Sequence, residues 1–273
     1  MKNKIKNKVK KSKLEQLLEK LPRTKNYLLK NGYKITEKQL FIRGARQENI
    51  KKGDRAKIAK AITLDLLDWD TSELQLNFTK NNGKLRTIGS IALSPFLTCM
   101  KMPCFLKGTC YGMFGKFRSF FKFFYQIENT VLYGLDKKKF IKQFNAYLDI
   151  TPLKRFRFFE NGDFVDLKMA EVFANICKKH KKIEFLAMTK KADFVNKYLD
   201  NGTLPKNFFI RLSEDTYDKK PLFDNPHNLP LTDIIKSKKD LKPGWFLCPG
   251  TKVGCDLCHR CWSNDNVAFV YHP

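Results

Sequence analysis

"RFRFFENGDFVDLKMAEVFANICKKHKKIEFLAMTK", residues 155–190, decides the fold. It begins with polar and aromatic residues in alternation, which is typical of a β-strand, and continues with apolar residues at the three- and four-residue spacing of a helix. Its end, "IEFLAMTK", again has the composition of a strand. Strand, helix and strand in this order predict two parallel strands joined by a crossover helix.

The same alternation continues on both sides of this stretch. A helix pattern covers "ADFVNKYLDNG", residues 192–202, and a further strand pattern covers "NFFIRLSE", residues 207–214. Upstream, "ELQLNFT" (73–79) and "LRTIGSIAL" (85–93) flank an Asn-Gly turn and predict a β-hairpin. The sequence therefore predicts an α/β fold with a parallel sheet.

Positive charge is concentrated at the amino-terminal end of the chain. The 273 residues include 53 Lys and Arg against 27 Asp and Glu, a net charge of +26, and residues 1–60 alone hold 20 basic and 5 acidic residues. Because such a surplus attracts polyanions, we expect nucleic acid as a partner. The alternative interpretation is a genome rich in A and T, which favours lysine codons.

Two helical patterns lie in this basic region, at residues 35–50 and 54–69, joined by "KKG". They suit a helix-turn-helix and equally an ordinary helical hairpin. The chain has no apolar run of the length that a signal peptide needs, and no stretch approaches the roughly 18 apolar residues of a membrane span. We therefore expect a cytoplasmic protein with no membrane partner.

Three of the eight cysteines lie in "CMKMPCFLKGTCY", residues 99–111, on a loop after the predicted hairpin. In a reducing cytosol, clustered cysteines are metal ligands more often than disulfides. Three thiolates on one loop can bind one face of a metal site and leave a position open, as catalytic sites require. Cys99, Cys104 and Cys110 are therefore candidate ligands of a [4Fe–4S] cluster with one free iron.

A second group lies in "CPGTKVGCDLCHRCW", residues 248–262, and consists of Cys248, Cys255, Cys258 and Cys261. Four thiolates complete a tetrahedral zinc site or an iron–sulfur cluster. Two consecutive "CxxC" steps favour iron–sulfur, and zinc is the alternative. We expect His259 to face solvent and Cys177, on the apolar face of a helix, to lie in the core.

Carboxylates follow the first strand of the central stretch, at Glu160 and Asp163 in "ENGD". Ligands of parallel α/β sheets and barrels gather at the carboxyl ends of strands, so both are candidate cofactor ligands. The alternative is that "ENGD" is only a turn. Polar residues at the next strand ends are expected on the same rim: Thr189, Lys190, Arg211, Ser213 and Glu214.

"FGKFRSFFKFFYQ", residues 114–126, interleaves seven aromatic residues with basic ones. Aromatic rings that stack on bases beside cations that contact phosphates are typical of a single-strand binding surface. Rings at helical spacing are equally typical of a helix face packed on the core, which we favour.

The order of these motifs resembles the bacteriophage "gene product eighty-eight" family, whose molecular function is not established. The likeness rests on a hairpin ending in "SPFLTC", a cysteine loop closing in "CY", "GDF" after a strand and a terminal "CP…CxxCxxCW", within about residues 80–262. That family in turn looks like a distant relative of radical S-adenosylmethionine proteins. In this likeness the cysteines of the loop match the cluster ligands, and Glu160 to Asp163 match the strand end that receives the amino group of the cofactor.

The resemblance implies a partial or degenerate (βα) barrel. We divide the chain into a basic helical N-terminal extension (1–72), an α/β barrel-like domain with the three-cysteine loop (73–235) and a Cys-rich metal-binding C-terminal segment (236–273). The predicted function is a phage or mobile-element iron–sulfur protein, as a radical S-adenosylmethionine-like enzyme acting on or near nucleic acid. The alternative is a non-enzymatic nucleic-acid-binding protein with structural zinc sites.

Overall fold

A computed structural model describes residues 55–68, 70–79, 85–106, 110, 112, 120–214, 223–250 and 252–270. The predicted basic arm and the first helix of the predicted helical pair lie outside the described residues, as does the turn of the predicted hairpin at 80–84. The second helical pattern is confirmed, because α1 covers Arg55–Leu67.

Eight strands of the described residues form one sheet in the order β1-β2-β3-β4-β5-β6-β8-β7. They are β1 (Phe78–Thr79), β2 (Gly89–Ile91), β3 (Arg155–Phe158), β4 (Glu184–Thr189), β5 (Phe208–Ser213), β6 (Leu231–Ile235), β7 (Phe246–Leu247) and β8 (Val267–Val270). The hairpin strands β1 and β2 are antiparallel, and every other neighbouring pair is parallel. Both sequence predictions, the hairpin and the parallel α/β sheet, are confirmed.

The sheet is open. Strands β1 and β7 lie at its two edges and do not pair with each other. A barrel requires its outer strands to close on one another, so the barrel part of the prediction is not confirmed by the described strands.

Seven further α-helices of the described residues follow α1, besides 3₁₀ turns at Lys238–Asp240 and Arg260–Trp262. They are α2 (Pro95–Thr98), α3 (Pro103–Leu106), α4 (Phe120–Leu135), α5 (Lys137–Ile150), α6 (Leu167–Lys179), α7 (Ala192–Asp200) and α8 (Cys255–Cys258). Within the part of the chain that the structure describes, no helix is both long and apolar enough to cross a bilayer.

The longer helices share one core with one face of the sheet. Alternate residues of β3 point into this core, where Phe158 stacks on Phe173 of α6 at 4.0 Å and on Phe185 of β4 at 5.3 Å between ring centroids. Full burial of each such ring contributes about 1.5–3 kcal/mol. The strand–helix–strand stretch therefore forms because its apolar periodicities meet in one layer.

Two earlier expectations concern this core. Cys177 of α6 has no exposed surface, which confirms its core position. Phe124 of α4 is also buried, which confirms the core interpretation for this ring of the aromatic segment, and its neighbour Phe123 is buried as well. Its residues 114–119 lie outside the described range.

The opposite face of the sheet is covered by the C-terminal tail. Trp262 packs there against Leu186 of β4. Arg211 of β5 has no exposed surface, and its guanidinium donates hydrogen bonds to the carbonyl oxygens of Cys261 (2.7 Å), Arg260 (2.9 Å), Ser263 (2.6 Å), Leu231 (3.4 Å) and Asp265. One buried cation thus fixes the main chain of the tail against the sheet.

We predict that Arg211→Met lowers the free energy of unfolding by about 3 kcal/mol, because several buried carbonyl groups lose a charged donor. Urea denaturation measures the loss. Hydrogen exchange should also show faster exchange of the amides near residues 260–265.

Arg260→Met is the matched control. Arg260 is exposed and pairs with Asp265 at the surface, so its loss should cost at most about 1 kcal/mol. Equal effects of the two substitutions would show that Arg211 does not hold the tail.

Candidate metal centre at the carboxyl edge of the sheet

The three-cysteine loop begins just after β2. Ser94 precedes α2, whose first residue is Pro95, and Cys99 follows this helix directly. Cys104 lies within α3, and the amide of Cys110 donates a hydrogen bond of 2.9 Å to the carbonyl oxygen of Cys104. Two short helical turns therefore place all three cysteines within one compact loop.

The three thiols of this loop are buried near one another. Their exposed fractions are 7% for Cys99 and 8% for both Cys104 and Cys110. A side-chain hydrogen bond with Cys104, together with burial, raises the pKa of Cys110. Burial and the nearby Asp163 carboxylate raise the pKa of Cys99 to about 12. Burial thus disfavours the thiolate form of both Cys99 and Cys110.

None of the eight cysteines, all of which lie within the described residues, forms a disulfide. Among the described residues, no group of three or more His, Cys, Asp or Glu side chains is arranged to hold a metal ion. The three predicted ligands of the loop lie near one another in the structure as thiols. That they bind a metal stays a prediction.

Two buried polar atoms beside this loop lack a hydrogen-bond partner within the described part of the chain: the hydroxyl oxygen of Ser94 and Nε2 of Gln126. The residues are 1% and 2% exposed. They are connected through Thr130, whose hydroxyl accepts from the Ser94 amide and donates to the Gln126 carbonyl oxygen. Buried polar groups are normally paired, so this corner has unused capacity for a bound water or ligand.

The "ENGD" loop after β3 lies directly against the chain that leaves β2. The amide of Glu160 donates to the carbonyl oxygen of Ile91, and the amide of Leu93 donates to that of Asn161, both at 2.8 Å. Gly162 has φ +78°, and a Cβ on it would lie 2.5 Å from the carbonyl oxygen of Leu93. The loop is thus both a tight turn and a wall of the cysteine site.

Asp163 is buried, and its carboxylate is held by the neighbouring strand end. It accepts hydrogen bonds from the Thr189 hydroxyl at 2.5 Å, the Lys190 amide at 2.9 Å and the Phe164 amide at 2.8 Å. Burial raises the pKa of Asp163, although these donors lower it in part. The prediction that Thr189 and Lys190 share a rim with Asp163 is confirmed.

Glu160 lies at the same edge and is 3% exposed. Its carboxylate accepts a hydrogen bond of 3.3 Å from the hydroxyl of Ser90 in β2. Glu160 therefore lies between the carboxyl ends of β2 and β3, close to the start of the cysteine loop.

Hydrogen bonds extend this rim to β5 and β6. The Lys190 ammonium donates to the carbonyl oxygens of Ser213 (3.1 Å) and Glu214 (3.2 Å), which confirms the rim position of both. Lys242 pairs with Glu214 at 3.0 Å and with Asp233 at 3.4 Å. Burial lowers the pKa of Lys242, but the two carboxylates outweigh it and raise the pKa overall.

Arg211 departs from the predicted rim. It lies two residues before the end of β5, where its side chain reaches the tail described above instead of the strand ends. Alternation along β5 determines which face of the sheet the Arg211 side chain takes. The carbonyl groups that it contacts on that face belong to a segment about 50 residues later in the sequence.

The tail and the sheet enclose a second feature, which we name the tail cleft. It has about 400 Å³ of empty space, including space open to solvent, and is lined among others by Arg157, Met188, Cys248, Cys255, Cys258 and Cys261. All four cysteines of the second group line this cleft, although in the structure their side chains do not form a set arranged to hold a metal ion. His259 is exposed, as expected.

Comparison with known proteins gives one result. The family model described as Gene product 88 matches residues 46–268. The chain belongs to the Gene product 88 family. A search of curated proteins and a search of solved structures each found no match. The resemblance to the phage family is confirmed, while the likeness to radical S-adenosylmethionine proteins stays a prediction.

Several residues of this Gene product 88 protein were missed by sequence reasoning. Asn161 bridges the Gln126 side chain at 3.0 Å and the carbonyl oxygen of Gly112 at 3.3 Å, which ties "ENGD" to α4 and the cysteine loop. Asp233 and Lys242 join the rim from outside the strand–helix repeats. An Asp within the apolar strand "LTDII" was the available signal for Asp233; nothing local indicates Lys242.

We predict that Gly162→Ala destabilises this Gene product 88 protein markedly. Any L side chain at such a φ costs roughly 1–2 kcal/mol, and the close approach to Leu93 adds about 1–3 kcal/mol. Urea denaturation measures the total.

Gly244→Ala is the control that separates the cost of the close approach to Leu93 from the cost of the positive φ. Gly244 has φ +77° but no atom within 4 Å of the position of a Cβ. If both variants lose the same free energy of unfolding, Leu93 does not press against the "ENGD" loop.

Proposed function

We propose that the protein is an iron–sulfur protein in which Cys99, Cys104 and Cys110 hold a [4Fe–4S] cluster. The observation that supports this best is the burial of three thiols, spread over twelve residues of chain, near one another at the carboxyl edge of a parallel sheet. Parallel α/β sheets bind their ligands at this edge.

The donor set fits the group. Thiolate sulfur is a soft ligand that suits iron–sulfur clusters and zinc, and three ligands leave one position for a further molecule. The Ser94 hydroxyl and Nε2 of Gln126, which have no hydrogen-bond partner among the described residues, fit such a molecule. A bound cluster would supply redox chemistry at this edge.

S-adenosylmethionine is the cofactor that we propose for the open position. Of the two predicted cofactor ligands, we assign the contact to Glu160, which lies beside the strand end that opens the cysteine loop. We assign Asp163 a positioning role, because three hydrogen bonds already tie its carboxylate to the protein. The order of β2 to β6 along the sheet is the order of a (βα) barrel, so we propose that the open sheet is a partial barrel.

Nucleic acid is the substrate class that we propose. The net charge of +26 supports it, since a protein with this surplus attracts polyanions over a long range. The protein would then carry out cluster-dependent chemistry on or near nucleic acid in a cytoplasmic setting.

We predict that protein prepared without oxygen is brown, absorbs near 400 nm and contains iron and acid-labile sulfide. Cys104→Ser should lose about four iron atoms per chain relative to the parent, because the cluster loses a ligand. Iron and sulfide assays with visible spectroscopy measure the change.

Cys177→Ser is the matched control, because Cys177 is also buried but lies on α6 in the hydrophobic core. It should keep all of its iron at some cost in stability. Equal iron contents in the Cys104→Ser variant and the parent would refute the cluster. A colourless parent loaded with zinc would instead support the alternative, a non-enzymatic nucleic-acid-binding protein with structural zinc sites.

Binding of a single-stranded oligonucleotide should weaken steeply as salt rises, because phosphate contacts release counterions. Fluorescence anisotropy of the whole chain between 50 and about 200 mM salt should show a loss of about a hundredfold or more. Affinity independent of salt, or no binding at the lowest salt, would exclude nucleic acid as the substrate.

A further inference from the structure

The tail cleft is separate from the three-cysteine loop. It lies between the tail and the face of the sheet that carries Arg157 and Met188, whereas the loop lies at the carboxyl edge. Its four cysteines lie in one segment, residues 248–261. Contacts with different parts of the sheet hold the two ends of this segment in place. An inference about this cleft therefore does not depend on the cluster proposed for the loop.

Main-chain contacts anchor each end of the cysteine segment. The Cys248 amide donates a hydrogen bond of 2.9 Å to the carbonyl oxygen of Ala268 in β8, and the Cys261 carbonyl oxygen accepts from Arg211 at 2.7 Å. Both anchors attach to the same sheet. The two ends of the segment are thus fixed on either side of the cleft.

Cys255 and Cys258 lie between these anchors, at the first and last positions of α8. Residues three apart in a helical turn face the same side. Gly254, before the turn, has φ +84°, and His259, after it, has φ +55°. The positive φ of these two residues limits the helical turn to four residues, and the three-residue spacing places its two cysteines on one side.

Two arginines of the sheet lie at the cleft or directly beside it. Arg157 lines the cleft, and the Arg211 guanidinium donates a hydrogen bond to the Cys261 carbonyl oxygen. Both guanidinium groups therefore lie where they can compensate negative charge on the cysteine segment.

We propose that the tail cleft is a second metal centre, with Cys248, Cys255, Cys258 and Cys261 as its four thiolate ligands and Arg157 and Arg211 as the cations that balance its charge. Four thiolates around a divalent metal leave a net charge of −2, and burial of such a group requires compensating charge. Arg157 and Arg211 supply it, while Arg260, which also lines the cleft, is paired with Asp265.

Arg157 acts as a positioning residue in this centre, and its neighbour provides a comparison. Arg155 lies two positions earlier on the same face of β3, where its charge is paired with Glu184 at 2.6 Å and its side chain lies over the Trp262 ring. Arg157 instead lines the cleft and contacts the Met188 sulfur at 3.6 Å. Both residues are arginines on the same face of β3, but only Arg157 lines the cleft together with the four cysteines.

The experiment uses the full chain with Cys104→Ser, so that metal in the three-cysteine loop does not contribute. The protein is loaded either with Zn²⁺ or with iron and sulfide, and the metal that survives desalting is counted. We expect metal in one of the two arms, with loss of all of it in the additional variant Cys255→Ser. Retention of metal without Cys255, or no metal in either arm, overturns the proposal.

The role of Arg157 is tested by the rate at which a chelator removes the metal. We expect Arg157→Gln to speed release by about 10–100-fold, as is usual for residues that support metal ligands from outside. Arg155→Gln should change the rate less than about twofold, and Arg157→Lys should restore most of the retention because it keeps the charge. Equal rates for Arg157→Gln and Arg155→Gln, with both variants folded by circular dichroism, overturn the assigned role.

Discussion

The position of the cysteine-rich tail depends on one buried cation. Arg211 belongs to β5, well inside the sheet, and a guanidinium without solvent must find acceptors for its donors. The main-chain carbonyl groups of residues 260–265 provide them. The tail is therefore fixed across the face of the sheet opposite the helices, and its four cysteines meet at a cleft instead of extending into solvent.

The carboxyl edge is organised by a second polar network, around Asp163. This carboxylate joins the "ENGD" loop to the end of β4, while the Asp163 amide donates to the Thr98 hydroxyl beside Cys99. The two interpretations of "ENGD", a turn and a ligand-binding strand end, are therefore compatible. The left-handed Gly162 makes the turn, and the turn places the Asp163 carboxylate near the Cys99 thiol.

The periodicity of apolar residues predicted the strands and helices, because their formation depends mainly on residues that are close in the sequence. Residues 155–190 formed their strands and helix as expected because apolar periodicity decides which face is buried, and the rule on strand ends placed Thr189 and Lys190 beside Asp163. The partners of Arg211 and the contact of Asn161 with α4 could not be predicted, since both depend on how distant segments pack. Closure of a barrel depends on pairing between edge strands, which no local pattern specifies.

Both proposals require the two cysteine groups to bind metal through sulfur. X-ray absorption at the iron and zinc edges of the whole protein, prepared without oxygen, identifies the ligand atoms. We expect sulfur as the main ligand of the bound metal and more than four metal atoms per chain if the loop holds a [4Fe–4S] cluster and the tail a second centre. A protein whose metal is bound only through oxygen and nitrogen, or that holds none, would contradict the account.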